Sequence, residues 1–398
     1  MSSQKPRIAI IGSGPAGLMA AWQLASRGFS VTIFEKKPSA ARKFLIAGVS
    51  GLNVTFDAPL VEFPTFYSGP KERFEALFRI FSPADWIQFI HGLGINTFTG
   101  TSGRIFVEGL KAGPLLKTWT EQLKKNGVDF ILDSECIDFQ TSHDGVLLRF
   151  ANGKETTFDA ALFALGGGSY EPDEKPLRWP AFFKHRGVTF REFTPSNAGV
   201  RLDWTPTLLK EAEGKPLKNV ILKTALGEKK GDLIITAYGL EGTPVYHVGT
   251  EGPATLDLKP DLDLKSIVNK LSVSKENLSP LRRAKKHLNL CEASLALLYH
   301  YGTKPGSNDI NAFAATIKNF PLRILAKQPL DEAISSAGGI VFDEVSEDYQ
   351  LKKHTGIFVA GEMLDWDAPT GGFLIQACVS QGVAAAQGIL NYLAMKSR

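Results

Sequence analysis

The chain's apolar patterning predicts an α/β fold built on a parallel sheet and interrupted by a second domain, on three observations. Residues 7–11 form a buried apolar run, 15–27 carry helical periodicity through Leu18, Ala21, Trp22 and Ala25, and 31–34 form a second apolar run. Between about 196 and 326 the texture changes to short strands followed by a helix-rich stretch. After Ser335 the alternation of apolar runs and glycine resumes, which returns the chain to its first domain. At 398 residues it exceeds the roughly 250–300 at which one core stops growing, so two or three domains are expected.

The first strand, helix and strand form one crossover unit, and right-handed connection makes its strands parallel. Gly28 ends the helix and Glu35 ends the second strand. Residues 40–70 turn irregular and glycine-rich at Gly48, Gly51 and Gly69, the texture of loops lying over a ligand. Helices are predicted over 72–81, 83–92 and 111–126, three or four β runs over 128–158, and a buried strand over 160–165 entering Gly166, Gly167 and Gly168. In the middle region, strands at 220–223 and 232–236 precede the helical stretch 262–318. The last helix is expected over 373–395.

Composition narrows the class. Hydrophobic residues make up 43% and charged residues 22%, ordinary for a globular enzyme, and the net charge of +4 is spread along the chain, which implies neither nucleic acid nor membrane as a partner. The basic run Arg282, Arg283, Lys285, Lys286, His287 reads as a solvated helix face. Cys136, Cys291 and Cys378 stand far apart, which argues against a disulfide framework, a zinc site and a redox dithiol; no metal is expected. No apolar stretch is expected to reach the roughly 20 residues of a membrane span, and a cytoplasmic location is the default expectation.

Gly12-Ser13-Gly14-Pro15-Ala16-Gly17 follows a buried strand and opens a helix, the place of a dinucleotide fingerprint. Gly12 allows the tight turn, Gly14 the approach of a pyrophosphate, and Gly17 close packing of helix on strand. The orphan amides at the helix start hold phosphate. Glu35 lies where an acid accepts hydrogen bonds from the adenosine ribose. Far along the chain, the apolar strand at 356–360 ends in Gly361-Glu362, and Thr370-Gly371-Gly372 leads into the last helix. An acid there meets a polyol, and the ribityl chain of FAD supplies one. The helix's positive end then favours charge on a reduced ring. These features predict a Rossmann-like domain that binds FAD non-covalently.

The chain resembles the BaiN/YhiN-like flavoproteins, the group that also contains aminoacetone oxidase, and within it an uncharacterised proteobacterial branch. The resemblance runs nearly end to end. It rests on Gly12 to Met19 with Glu35, on the segments 42–48, 51–55 and 103–106, on Ala164 to Gly167, on Pro195-Ser196-Asn197, on 216–219 and 235–242, and most specifically on 360–372. It implies a glutathione-reductase-like FAD domain (1–195 and 327–398), an inserted β-barrel-like domain (196–260 and 319–326) and a helical insertion (261–318). It also implies that Lys43, Gly48, Asn53 and Thr55 line the flavin, with Gly361, Glu362, Gly371 and Gly372 closing it from the other side. Pro15, Ala16, Lys36, Arg42, Gly166, Gly167, Asp367, Thr370 and Phe373 complete the expected cofactor set. Three departures stand out: Val49-Ser50 where the family carries arginine and glycine, Phe56 where relatives of this branch often place histidine, and the stretch 171–176 after Gly168.

The catalytic acid or base stays open among Tyr238, Glu241, Tyr246 and His247, read as lying in glycine-rich strands that the family places over the flavin. The expected activity is an FAD-dependent oxidoreductase exchanging hydride between flavin N5 and a small organic molecule. NAD(P)H stays open as a transient donor. The alternatives are a small-amine oxidase using oxygen, an RNA-associated flavoprotein, and a non-catalytic flavin sensor.

Overall fold

The computed structural model describes residues 5–48, 51–170, 177–273, 278–302 and 309–396. The chain divides into two compact units, one formed by Met1–Thr194 with Ser335–Arg398 and the other by Pro195–Ile334. Val49, Ser50 and the stretch 171–176 lie outside the described residues.

The first unit is organised on a five-stranded parallel sheet. Its strands are β1 (Arg7–Ile11), β2 (Ser30–Phe34), β3 (Asp129–Ile131), β4 (Ala160–Phe163) and β5 (Ile357–Val359). Their spatial order is β5-β4-β1-β2-β3, with Ile10 opposite Ile33 on one side and Leu162 on the other. The chain runs outward from β1 to β2 and β3, then returns to β1's other side, so the order reverses at β1. Ligands of open α/β sheets bind at the carboxyl ends of strands beside such a reversal. The first glycine turn sits there.

β1 leads into α1 (Pro15–Ala25), whose buried side, Ala16, Gly17, Ala20 and Ala21, is built of small residues. Against it packs the C-terminal helix Phe373–Lys396. Contrary to the expectation from the sequence, this helix is long and apolar enough by composition to cross a membrane, but 72% of its apolar window is buried inside the structure. Helical periodicity weakens when a helix is covered on most sides.

Two antiparallel layers complete the unit. Asn53–Phe56, Arg104–Val107 and Thr97–Thr99 form one, and Cys136–Ser142, Gly145–Phe150 and Glu155–Phe158 form the other. The first is tied to the helix Pro83–Gly92 by the buried Trp86, whose indole N–H donates to Val54 O at 3.1 Å.

The second unit carries a seven-stranded antiparallel sheet. Phe320–Ile324 pairs with Gly252–Asp257, while the next residues, Ala326–Lys327, pair with Val200–Arg201 at the opposite end of the strand order. One continuous segment therefore occupies both edges and curls the sheet into a barrel-like form. Because Ala326–Lys327 is paired here, the unit extends to Ile334, past the return at 327 read from the sequence. The helices Leu264–Ser272, Pro280–His287, Glu292–Tyr301 and Ile310–Lys318 share one hydrophobic core with this sheet, through Leu256, Ile267, Leu297 and Phe320.

The approach of α1 to the C-terminal helix is set at Gly382, where an added methyl would overlap the Ala16 carbonyl. Gly382→Ala is expected to destabilise the first unit by roughly 1–3 kcal/mol through overpacking. Thermal denaturation of the variant against the parent checks this, and an unchanged Tm would refute it.

Candidate functional site

The site is assembled around the first turn of α1. Gly12 has φ +104, and an added methyl there would strike the Ala164 carbonyl at the end of β4. A methyl at Gly17 would strike the carbonyl of Gly12 itself. At Gly14 an added Cβ meets nothing within 4 Å, so this glycine faces open space. The helix has Pro15 in its first turn, no acid there and no side-chain cap, and its first intrahelical bond runs from Leu18 N–H to Gly14 O at 2.9 Å. The Ala16 and Gly17 amides are therefore left to an anion.

Glu35, at the end of β2, is held toward this turn. It accepts from the Ser13 N–H at 3.1 Å, from the Ser13 hydroxyl, and from Lys37 N–H at 3.0 Å. The Ser13 hydroxyl in turn accepts from Ala41 N–H at 2.9 Å. Spacing alone does not single out Ser13, because the fingerprint leaves its position free. Lys36 is half-buried and follows Glu35 directly, whereas Arg42 opens the helix Arg42–Ala47 as an exposed residue.

Lys43 on the same helix reaches inward and donates to Gly167 O at 2.9 Å, with Gly166 beside it. Gly167 adjoins Glu362, and Ser336 fixes this stretch by accepting from Gly168 N–H at 2.7 Å. Burial raises the Glu362 carboxyl's pKa, the Lys43 charge lowers it, and Asp367 raises it further, so desolvation prevails. Gly361 lies against Ala16, where an added Cβ would stand 3.3 Å from the Ala16 methyl. Its N–H donates to the fully buried Gln381 at 2.7 Å, and its carbonyl accepts from Trp366 at 3.0 Å. The β1 turn, Lys43, Gly166-Gly167 and Gly361-Glu362, scattered over 350 residues of sequence, thus converge.

A second group surrounds the start of the C-terminal helix. Gly371 and Gly372 have φ +122 and +95, and an added Cβ at Gly372 would lie 2.5 Å from Thr55 N. Thr370 precedes this pair. Phe373, next along, stacks on Phe56 with ring centroids 5.0 Å apart and packs on Phe66 at 4.6 Å, while Tyr67 donates to its carbonyl at 2.8 Å. Gly48 has a packing role, since an added Cβ would lie 2.5 Å from that of Ala112. Asp365 pairs with Arg191 at 2.9 Å, while Ser335 and Ser68 bond the Asp367 side chain and backbone.

Two polar atoms decide whether this site fits the cofactor. Asn53 Oδ1 and Thr55 Oγ1 are buried with no hydrogen-bond partner. Buried polar atoms are normally satisfied, and an orphaned one costs about 1–3 kcal/mol. Both stand on the strand that faces Gly372, and the ring and ribityl chain of a flavin would offer them donors and acceptors. The donor set fits FAD.

The other sequence candidates lie in the second unit. Tyr238 sits in the turn between Gly227–Thr236 and Gly239–Glu241, and its hydroxyl donates to Glu241. Burial, then this carboxylate, push the phenol's pKa well up. Gly199 makes room, since an added Cβ would lie 2.7 Å from the hydroxyl. Tyr246 and His247 are not on a strand: Gly242 and Pro244 start the helix Thr243–Val248, which carries both. His247 is exposed and contacts Thr243 O at 3.0 Å. Among the described residues no group of three or more His, Cys, Asp or Glu is placed to hold a metal.

The sequence matches the model of the HI0933-like protein Rossmann domain over residues 6–388. The chain belongs to this family. It is thereby an FAD-dependent oxidoreductase of Rossmann-like fold. It is 23% identical to the 3-dehydro-bile acid delta(4,6)-reductase of Clostridium scindens over 96% of this chain and 98% of that one. A second relative, the ribosomal RNA dihydrouridine synthase of Haemophilus influenzae, is 31% identical over 42% of this chain and 41% of that one. Among solved structures, the 3-ketosteroid delta1-dehydrogenase of Sterolibacterium denitrificans shares the fold, with TM-score 0.52 and 11% identity over 98% of this chain and 100% of that one.

Two substitutions probe the site. Thr55→Val removes an unsatisfied buried hydroxyl at nearly constant shape, so the FAD-stripped protein should keep or gain Tm while the Tm rise on adding FAD shrinks. An unchanged FAD-induced rise would contradict this placement. Glu362 binds its proton more tightly folded than unfolded, so it withdraws stability from the stripped protein as pH rises through and above about 4.5. Glu362→Gln should therefore raise the stripped protein's Tm at neutral pH, with the gain shrinking as pH falls toward that value. Equal Tm values at neutral pH would contradict the direction.

Proposed function

We propose that the chain reduces a carbon–carbon double bond conjugated to a carbonyl in an organic substrate. The carrying observation is the polar lining of the half-buried Lys43, Asn53 and Glu362 with the buried Thr55, which suits a flavin, combined with cysteines that are all free and form no disulfide. Bound there, FAD supplies a hydride from N5. Both named relatives support the reaction class, since a 3-oxo diene and a uracil ring each place the reducible bond beside a carbonyl.

The protein's own residues orient and charge the site. The α1 amides and Glu35 would hold the adenosine diphosphate end, and Lys43 and Glu362 the ribityl end. Reduction of a conjugated bond also needs a proton at the neighbouring carbon. Tyr238, Glu241, Tyr246 and His247, the acid–base candidates of the sequence, all belong to the second unit, where burial and Glu241 raise the Tyr238 pKa and make its phenol a weaker acid.

In the anaerobic stopped-flow spectrophotometer, NADPH or NADH should bleach the flavin, and a conjugated enone should restore its colour. Peroxide production from a small amine, without bleaching by either nucleotide, would favour the oxidase reading instead. Full FAD occupancy with no reduction by any donor would make the protein a flavin sensor.

A second reading concerns the substrate's size. The Haemophilus relative acts on ribosomal RNA, and Arg282, Lys285 and Lys286 are exposed on the helix Pro280–His287, while Arg283 is occupied by the Leu271 and Leu278 carbonyls. Tight RNA binding that weakens steeply with salt would favour a base within RNA as substrate.

A further inference from the structure

Ser13 occupies a position that the glycine fingerprint leaves open, yet its side chain is fully buried and hydrogen-bonded both as donor and as acceptor. Resting on the FAD reading above, we propose that Ser13 is the positioning residue of the adenosine end: its hydroxyl sets the orientation in which the Glu35 carboxylate meets the ribose.

The direction of that hydroxyl follows from its two partners. The Ala41 N–H can only donate, and it does so to Ser13 Oγ at 2.9 Å. The hydroxyl's single proton therefore goes to Glu35 Oε2, since a carboxylate oxygen can only accept. The Ser13 N–H reaches the same oxygen at 3.1 Å. One residue thus gives Oε2 two donors from one side. Ala41 is itself buried and has φ +51, a left-handed backbone that residues with a side chain seldom adopt. Its bond to Ser13 ties that unusual corner to the glycine turn, and water has no access to either partner.

Glu35 needs such a guide. Its backbone is settled by the chain at and just beyond β3, with its N–H donating to Ile131 O at 3.0 Å and its carbonyl accepting from Ser134 N–H at 2.9 Å. The side-chain torsions are not settled by those bonds, and a half-buried glutamate has rotamers that turn its carboxylate toward solvent. Lys37 N–H bonds Oε1 at 3.0 Å, but it lies only two residues along and belongs to the same stretch of chain. Ser13 stands 22 residues earlier, on the turn that opens α1, and so it references the carboxylate to the α1 amides. With Oε2 engaged by Ser13, Oε1 is the oxygen left to take a further donor from the ribose. Alanine at this position would lack both the donor for Glu35 and the acceptor for Ala41.

The test is a double-mutant cycle on the full chain, read in its affinity for FAD and for ADP, which carries only the adenosine diphosphate half. Ser13→Ala should weaken both about tenfold, the size expected for one hydrogen bond to a charged group, and Glu35→Ala should weaken both by at least as much. Ser13→Cys, which keeps the volume but donates weakly, should show a smaller loss of the same kind. Because Ser13 acts through Glu35, adding Ser13→Ala to Glu35→Ala should lower neither affinity further, whereas a general loosening of the turn would add its own loss. Wild-type affinity in the Ser13→Ala chain, or the same Ser13→Ala loss with and without Glu35, would overturn the assignment alone. A wild-type chain that binds neither FAD nor ADP would overturn both this inference and the reading on which it rests.

Discussion

The first unit's site depends on one constraint: four stretches of backbone must meet at the first turn of α1 with no side chain larger than a methyl between them. Gly17 lies on the carbonyl of Gly12, Gly12 on that of Ala164, Gly382 on that of Ala16, and Gly361 on the Ala16 methyl. A β-carbon at three of these contacts would overlap a carbonyl. Packing at backbone distance lets α1 aim its free amides at one point while the end of β5 and the C-terminal helix arrive from elsewhere in the sequence. The glycine turn after β1 and the Gly361-Glu362 corner are therefore one object.

Charge within that object is divided. Lys43, Glu362 and Asp367 form a compensated group, in which burial still outweighs the lysine and raises the Glu362 pKa. The start of the C-terminal helix has no acid in its own first turn to offset its dipole. Neutral polar contacts fall on Asn53 and Thr55, whose buried oxygens lack protein partners. Such a division suits a cofactor with a polyol in its middle and a ring that gains charge on reduction.

Much of this was legible in the sequence, for a physical reason. Gly12, Gly14, Gly17 and Glu35 answer to local geometry of strand, turn and helix, which spacing encodes directly. The helix over 83–92 and the four strands within 128–158 carried clear periodicity or alternation. Lys43, Asn53 and Thr55 became candidates only through family resemblance, because nothing local distinguishes an inward-facing polar residue. Ser13, Ser336 and Gln381 were missed, since each acts on a partner distant in sequence. Tyr246 and His247 stand on a helix and not on the expected strand, and the signals for it are Gly242, which ends the strand, and Pro244 in the helix's first turn. The C-terminal helix conceals its membrane-like composition because Gln376, Ser380 and Gln381 interrupt its apolar run.

Everything rests on the convergent site holding a flavin. The most direct measurement is the visible spectrum of the purified protein, followed by denaturation and identification of the released cofactor. The account predicts a yellow protein that releases FAD intact, with the adenosine diphosphate half present. A colourless protein that remains colourless and gains no thermal stability after incubation with FAD would contradict it.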